Sequence, residues 1–270
     1  MHSLSEHRPE YRGYIHVLIV SDSGIGIPRL VKSINNIAPR SVYATGDNVT
    51  RASLTTNASG NMLTSGLLPA ANTGLVYLTG FGDLSRKPKR SITGHLMETR
   101  KIPVDKGEYN ETVPLQLGLL TTKLPDGGSF DEARGISEQL GVSVDLLEDF
   151  DSVHAVVDSS NEEKDRETAG EVLETDPELP VTPDFLSKYV AYARSEVDPG
   201  IEDDNQIKDR VADYYSSKRE DVGNVVNTND IESIIRFSEA SARARLSETI
   251  EIEDIDRAIR IVDSNPRYQD

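Results

Sequence analysis

The segment Tyr14-Ile15-His16-Val17-Leu18-Ile19-Val20 constrains the fold most: a nearly continuous apolar run, then Gly24 and Gly26, then Leu30, Val31 and Ile34 at helical spacing. A run that is apolar at almost every position reads as a strand buried on both faces, the habit of parallel sheets. Strand, glycine loop and helix in that order predict an α/β domain. Four more short apolar runs supply further strands, at residues 41–45, 75–79, 115–121 and 153–157. Residues 46–74 are rich in Gly, Asn, Thr and Ser and read as loop with short elements. Residues 89–99 read as a helix. Residues 101–113 read as a β-hairpin turning at Asp105-Lys106-Gly107.

The pattern changes after Ser160. Ser160-Asn161-Glu162-Glu163 is a capping box opening a helix through Leu173. Residues 175–180 read as a linker, and Thr182-Pro183 as an N-cap with proline in the first turn. Helices follow at roughly 183–196, 203–219, 229–246 and 252–263. Ile231, Ile234, Ile235, Ser238, Ala242 and Leu246 mark the stripe of the third. The expected organisation is a polar tail at 1–13, an α/β domain at 14–178 and an all-α domain at 182–265.

Composition excludes several classes. The chain has no cysteine, so disulfides, zinc ribbons, iron–sulfur clusters and thiol chemistry are out. No run is long and apolar enough to span a membrane, and the first residues have no secretory core, so the cytoplasm is the expected location. The 29 Lys+Arg against 46 Asp+Glu leave a formal charge of −17. Such a surface repels nucleic acid at long range. Acid-rich and lysine-poor composition resembles that of proteins from salt-accumulating cells. His2, His7, His16, His95 and His154 show no ligand spacing, so no metal site is expected. The pairs Asp203-Asp204 and Glu253-Asp254 fall in expected first helical turns, where the helix dipole favours them.

The glycine loop carries the most chemistry. Ser21-Asp22-Ser23-Gly24-Ile25-Gly26-Ile27-Pro28-Arg29 lies where a phosphate-binding loop G-x-x-x-x-G-K-[S/T] would lie, between strand and helix. Such a loop needs backbone N–H groups around the phosphates, a lysine on them and a hydroxyl on magnesium. Gly26 fits. Ser21 stands at the first glycine, Ile27 at the lysine and Pro28 at the hydroxyl residue, and proline also removes an N–H. Taken alone, the loop reads more readily as a glycine turn closing a strand onto a helix.

Longer segments resemble the core of the minichromosome maintenance (MCM) family of AAA+ proteins. They are Arg12-Gly13-Tyr14-Ile15-His16-Val17-Leu18-Ile19-Val20 and Ser33-Ile34-Asn35-Asn36-Ile37-Ala38-Pro39-Arg40-Ser41-Val42-Tyr43. Lys188-Tyr189-Val190-Ala191-Tyr192-Ala193-Arg194 is similar to a motif of that family's helical lid. So are the stretches from Ile234 to Leu246 and from Ile255 to Val262. The likeness covers roughly residues 12–263 and implies a P-loop AAA+ parallel-sheet domain followed by a smaller all-α lid. It also implies an ATP-driven hexameric ring that moves on DNA, with ATP and magnesium as cofactors.

The positions the resemblance assigns to hydrolysis are altered. An acid pair that coordinates magnesium and polarises water is Thr79-Gly80 here. A sensor asparagine is Leu124. An arginine finger reaching into the neighbour's site is Asp149, within Glu148-Asp149-Phe150-Asp151. With Ile27 and Pro28, no position for hydrolysis is intact, and no cofactor is assigned with certainty. The lid's sensor arginine is kept as Arg236. Residual nucleotide contact would rest on Asp22, Ser23, Gly24, Ile25, Gly26 and Arg236, in the chain's own or a neighbour's site. Lys106 aligns with a pore-hairpin lysine that touches DNA, near Arg86, Lys87, Lys89, Arg90, Arg100 and Lys101. The family's N-terminal oligonucleotide-binding region and C-terminal winged helix have no counterpart in these residues, so an independent ring is not expected.

Three functions follow. The first is a non-catalytic subunit or modulator of a full-length MCM helicase, the second a residual ATP- or DNA-binding helicase-type ATPase, the third a decaying duplicate.

Overall fold

The protein is described by a computed structural model over residues 12–55, 57–59, 62–106, 109–158, 166, 170, 180–202 and 205–269. The expected tail up to Tyr11, Gly107 of the expected hairpin turn, and Asp203-Asp204 lie outside the described residues. So do most of the helix expected through Leu173 and of the linker at 175–180.

In chain order the elements are β1 (His16–Ser21), α1 (Ile27–Ile37), β2 (Ser41–Thr45), α2 (Arg51–Leu54), β3 (Asn57–Ser59), β4 (Met62–Thr64), α3 (Leu67–Ala70) and β5 (Leu75–Thr79). Then come α4 (Arg86–Ser91), which continues as a π-helical stretch Ile92–Glu98, the hairpin β6 (Lys101–Lys106) and β7 (Tyr109–Pro114), and β8 (Gly118–Lys123). The α/β part closes with α5 (Ile136–Leu140), α6 (Val144–Glu148) and β9 (Ser152–Val156). The helical part holds α7 (Pro183–Glu196), α8 (Asn205–Val222), α9 (Thr228–Ala244) and α10 (Ile252–Asp263).

Five strands form one parallel sheet in the order β2-β5-β8-β1-β9. The apolar run of β1 places it between β8 and β9, where Leu18 and Val20 face one layer and Ile19 the other. The first layer joins Leu18, Val20, Val76, Leu78 and Val153 to Phe81, Ile92, Leu96 and Phe150. The second joins Ile19, Tyr77 and Leu120 to Ile27 and Val31 of α1. Parallel strands need crossover connections, so all their C-terminal ends open on one edge of the sheet.

Several boundaries differ from the sequence expectation, and two of the differences have a clear backbone reason. The fourth strand starts at Gly118 rather than at residue 115. Leu115 and Leu117 are buried, but the Leu115 N–H donates to Arg100 O and the Gln116 N–H to Asn72 Oδ1, so the ladder begins only where the Gly118 N–H meets Gly74 O. The helix expected over 89–99 starts earlier and widens to π geometry, closed by the Thr99 N–H on Gly94 O at 3.1 Å. The short helices α5 and α6 occupy a stretch in which no element was expected.

The lid has its own core, built from Ile207, Ile234, Ala242, Ile255, Ile259 and Val262. It docks on the other edge of the sheet, where the strands begin. There α7 packs on α1, and the Arg194 guanidinium donates to Thr73 O, two residues before β5. Asp151, one residue before β9, receives Arg236 and Ser233 of α9.

Candidate functional site

The sequence-derived positions fall into two groups at opposite edges of the sheet. At the C-terminal edge, Gly24 and Gly26 take φ of +92° and +83°, conformations open to glycine, and Gly26 caps the start of α1. The Asp22 N–H donates to Val156 O and the Ser23 N–H to Gly128 O. The Asp22 carboxylate accepts the N–H groups of Phe130 at 2.6 Å and Asp158 at 2.8 Å, which hold its pKa below the ordinary value. Asp22 therefore ties the loop to its neighbours and is already satisfied. Ile25 is half-buried. Ile27 points into the core layer beside Val31 and Tyr77, 7 % exposed. Pro28 follows in the first turn of the helix.

Thr79 ends β5, and Gly80 adopts φ +65° with its N–H directed at Thr122 Oγ1. A Cβ on Gly80 would collide with the Asp83 carboxylate, and a Cβ on Gly46 would collide with Gly80 O. These two turns approach so closely that Gly46 has no room for a side chain. Leu124, just past β8, is 52 % exposed. Lys106 ends β6 opposite Tyr109, which places it next to the tip of the hairpin. Among the described residues no group of three or more acidic or histidine side chains could hold a metal ion, and no helix is long and apolar enough to cross a membrane.

At the N-terminal edge, Asp149 and Arg236 line one cavity of about 240 Å³ together with Arg12, Glu98, Arg100 and Glu232. Asp149 follows α6, and its backbone O accepts from Arg12. Burial and the nearby Glu98, Glu148 and Asp145 push its carboxyl up to about 6, against the pull of Arg12. Arg236 is 3 % exposed and its Nε donates to Asp151 Oδ1 at 2.6 Å. Its other nitrogens reach Glu232, Ser233 Oγ and Arg12 O.

Asp151 is the hub of this edge. It is fully buried and accepts four donors: the His16 N–H at 2.7 Å, Arg12 at 2.9 Å, Ser233 Oγ at 2.9 Å and Arg236 Nε. Burial alone would raise its pKa, but Arg12 and Arg236 outweigh burial and hold it below the ordinary value. His16 lies alongside, its pKa driven well down by burial and by Arg12 and Arg236. Its Nδ1 accepts the Leu119 N–H, so the neutral ring carries its proton on Nε2, which has no partner.

The two groups are separated by the length of β1, six residues or about 20 Å. The structure thus gathers the glycine loop, Thr79-Gly80 and Leu124 at one edge, and Asp149 and Arg236 at the other. Arg236 does not reach the chain's own glycine loop. Its guanidinium is held by Asp151 instead. Sequence reasoning missed the cluster of Arg12, His16, Asp151 and Ser233. These residues stand far apart in the chain, and no spacing rule links them.

Comparison with known proteins agrees with this two-part build. Residues 1–176 match the family profile of the MCM P-loop domain, and residues 184–265 that of the MCM AAA-lid domain. The chain is 28 % identical over 277 residues to the DNA replication licensing factor mcm4 of Schizosaccharomyces pombe, covering 94 % of this chain and 30 % of that protein. It is 28 % identical over 267 residues to the minichromosome maintenance protein MCM of Saccharolobus solfataricus, covering 93 % and 38 %. It is 24 % identical over 315 residues to the probable DNA helicase MCM8 of Oryza sativa subsp. indica, covering 97 % and 40 %. The chain spans 30–40 % of the length of these three relatives.

Proposed function

The chain belongs to the MCM family, and from that premise we propose that it acts in DNA replication as a non-catalytic subunit or modulator of an MCM helicase. One observation carries this reading: the position of the phosphate-binding lysine is Ile27, packed into the core, and it is followed by Pro28, which has no N–H to offer. The other altered positions support it. Thr79-Gly80 has no carboxylate for magnesium, and Leu124 has no amide. Asp149 puts an acid where a cation would stabilise a γ-phosphate. Loss of an arginine finger alone costs about 10³–10⁵ in rate.

On this reading the chain contributes its N-terminal edge to a joint with an active subunit and slows that subunit's turnover. Hydrolysis by the chain alone is zero. The test is light scattering after size exclusion, in molar KCl to suit the acidic composition, of this chain alone and mixed with the full-length MCM helicase of the same cell. A mixed complex with reduced ATPase supports the reading. An unchanged ATPase at molar excess of this chain refutes it.

A second reading is favoured by the hairpin β6–β7, which sets Lys106 beside its tip, and by four basic residues within α4. It is phosphate-backbone contact with DNA, which grows strong only where several chains act together. Anisotropy of a labelled single strand, measured against salt, tests it. An absence of binding at about 50 mM salt, where such contacts are strongest, removes it.

A further inference from the structure

The five-stranded sheet ends on β2, which has β5 on one side and, among the described residues, no strand on the other. Leu75 of β5 stands opposite Ser41, and its N–H donates to Arg40 O at 3.0 Å. Arg40, Val42 and Ala44 therefore turn their N–H and C=O groups toward β5. Successive residues of a strand alternate, so Ser41 and Tyr43 show both groups to the free side, and Thr45 its N–H. Such a row is a template for another strand, and natural sheets block it with charged residues, proline or a bulge. Ser41-Val42-Tyr43-Ala44-Thr45 contains no charge and no proline, and its register is unbroken.

The surroundings of this strand suit a neighbour like itself. Tyr43 is 54 % exposed, and its ring lies 5.2 Å from that of Tyr77. Beside β2 opens a cavity of about 660 Å³ lined by Ala44, Val49, Leu67 and Ala70 among others, and none of the residues around it is charged. Opposite charges flank the strand. Arg40 precedes it and Asp47 follows two residues after it, both exposed. Arg40 donates Nε and Nη2 to Ala70 O, which leaves its charge without a carboxylate. Neither Arg40 nor Asp47 has an ion pair among the described residues.

We propose that β2 pairs with β2 of a second copy of this chain, antiparallel about a two-fold axis at Tyr43. In that register Tyr43 stands opposite Tyr43 of the second copy, and Ser41 opposite its Thr45. The two Tyr43 residues exchange both backbone hydrogen bonds, and the Thr45 N–H of each copy donates to Ser41 O of the other. Opposite residues share a face, so the two Tyr43 rings meet, and Val42 of each copy lies beside Ala44 of the other. Arg40 falls opposite Gly46 of the second copy and next to its Asp47, so each end of the joint sets a cation beside an acid. The same patch serves on both chains, so the assembly closes at two copies. The inference stands apart from the reading above, because it concerns the chain alone and uses neither the glycine-loop edge nor the edge that receives the lid.

The test is sedimentation velocity of the chain alone, over 1–200 μM as an order-of-magnitude range, in about 0.15 M KCl. There the Debye length of about 8 Å confines repulsion between the acidic chains to near contact. The expected result is a mass that rises from one chain to two and stops there. Tyr43→Pro is expected to be monomeric. Proline removes an N–H that faces away from β5, so the ladder between β2 and β5 keeps its bonds. Asp47→Arg sets two cations together at each end and should weaken association at least about tenfold, and adding Arg40→Asp should restore it. Because the chain has no cysteine, introduced thiols report the register. Oxidised together, Ser41→Cys and Thr45→Cys should give a mixed disulfide. Either variant alone should not, since like positions then lie about 13 Å apart along the strands.

A wild-type chain that stays monomeric throughout overturns the proposal. So does growth beyond two copies, association that a folded Tyr43→Pro leaves unchanged, or a disulfide that forms as readily in either cysteine variant alone as in their mixture. If Tyr43→Pro does not fold, Tyr43→Lys takes its place. It sets like charges opposite each other at the two-fold axis and should be monomeric, and an unchanged association constant overturns the assignment.

Discussion

Replacing Asp151 with asparagine asks whether the lid is held to the sheet by one buried carboxylate. The wild-type group accepts hydrogen bonds from His16, Arg12, Ser233 and Arg236, the last two on α9. Asparagine keeps the shape but removes the charge, and its amide nitrogen cannot accept. Two guanidinium groups would then share a buried site, with only the partly exposed Glu232 left paired to Arg236. Removing one partner of a buried ion pair costs about 3–5 kcal/mol. For a chain of this size each kcal/mol lowers the melting temperature by about 2–4 °C, which predicts a fall of about 6–20 °C. Scanning calorimetry at pH 7 measures it, and hydrogen exchange along α9 shows whether the lid loosens first. The pH dependence has a definite sign. The folded pKa of Asp151 lies below the unfolded one, so its contribution is present above the ordinary carboxylate range, about pH 4, and is lost as pH falls through the folded pKa. Wild type and Asp151→Asn should converge in acid. A variant that melts within 2 °C of wild type at pH 7, by the same scale, would refute the clamp, since among the described residues Asp151 is the fully buried carboxylate that joins the sheet to α9.

Asp149→Asn has the opposite pH signature: the folded carboxyl titrates near 6, so ionising it costs stability as pH rises from about 4 to 6, and the variant should melt higher than wild type at pH 7.5 but not at pH 4. Phe150→Ala removes a fully buried ring set edge-on to Phe81 at 5.8 Å and should cost about 3–5 kcal/mol in urea unfolding at neutral pH. Ile27→Lys with Pro28→Ser restores the lysine and hydroxyl of a phosphate loop. It should raise nucleotide affinity in calorimetric titration without starting hydrolysis, because Thr79-Gly80 and Leu124 remain, and measurable turnover by this variant would contradict the reading of those positions.

Much of the fold was legible because apolar periodicity is local. Residues 41–45 and 75–79 are strands at the expected bounds, and 252–263 is a helix at both expected ends. The start of β8 was not legible, because Leu115 and Leu117 are as apolar as strand residues and are buried off the ladder. Neither was the π stretch, whose register is set by the Gly94 carbonyl. The glycine loop could be placed from its own residues, since glycine, strand and helix are contiguous there. The Asp151 cluster could not, because it joins residues 12, 16, 151, 233 and 236, and charge partners across such distances leave no period in the sequence.

The docking of the lid also bears on what a single copy can do. Arg194 and Arg236 both anchor the lid where the strands begin, while the glycine loop opens where they end. Any site that required Arg236 or the Asp149 position together with a glycine loop must therefore be assembled from two molecules. Within one molecule, the packing of the C-terminal edge also limits which side chains its turns can carry. Ile27 is part of the core, Gly46 has no room for a Cβ against Gly80 O, and a side chain at Gly80 would have to adopt φ +65°. A left-handed conformation costs a non-glycine residue roughly 1–2 kcal/mol. A carboxylate at residue 80 would therefore carry that cost and displace the Asp83 side chain.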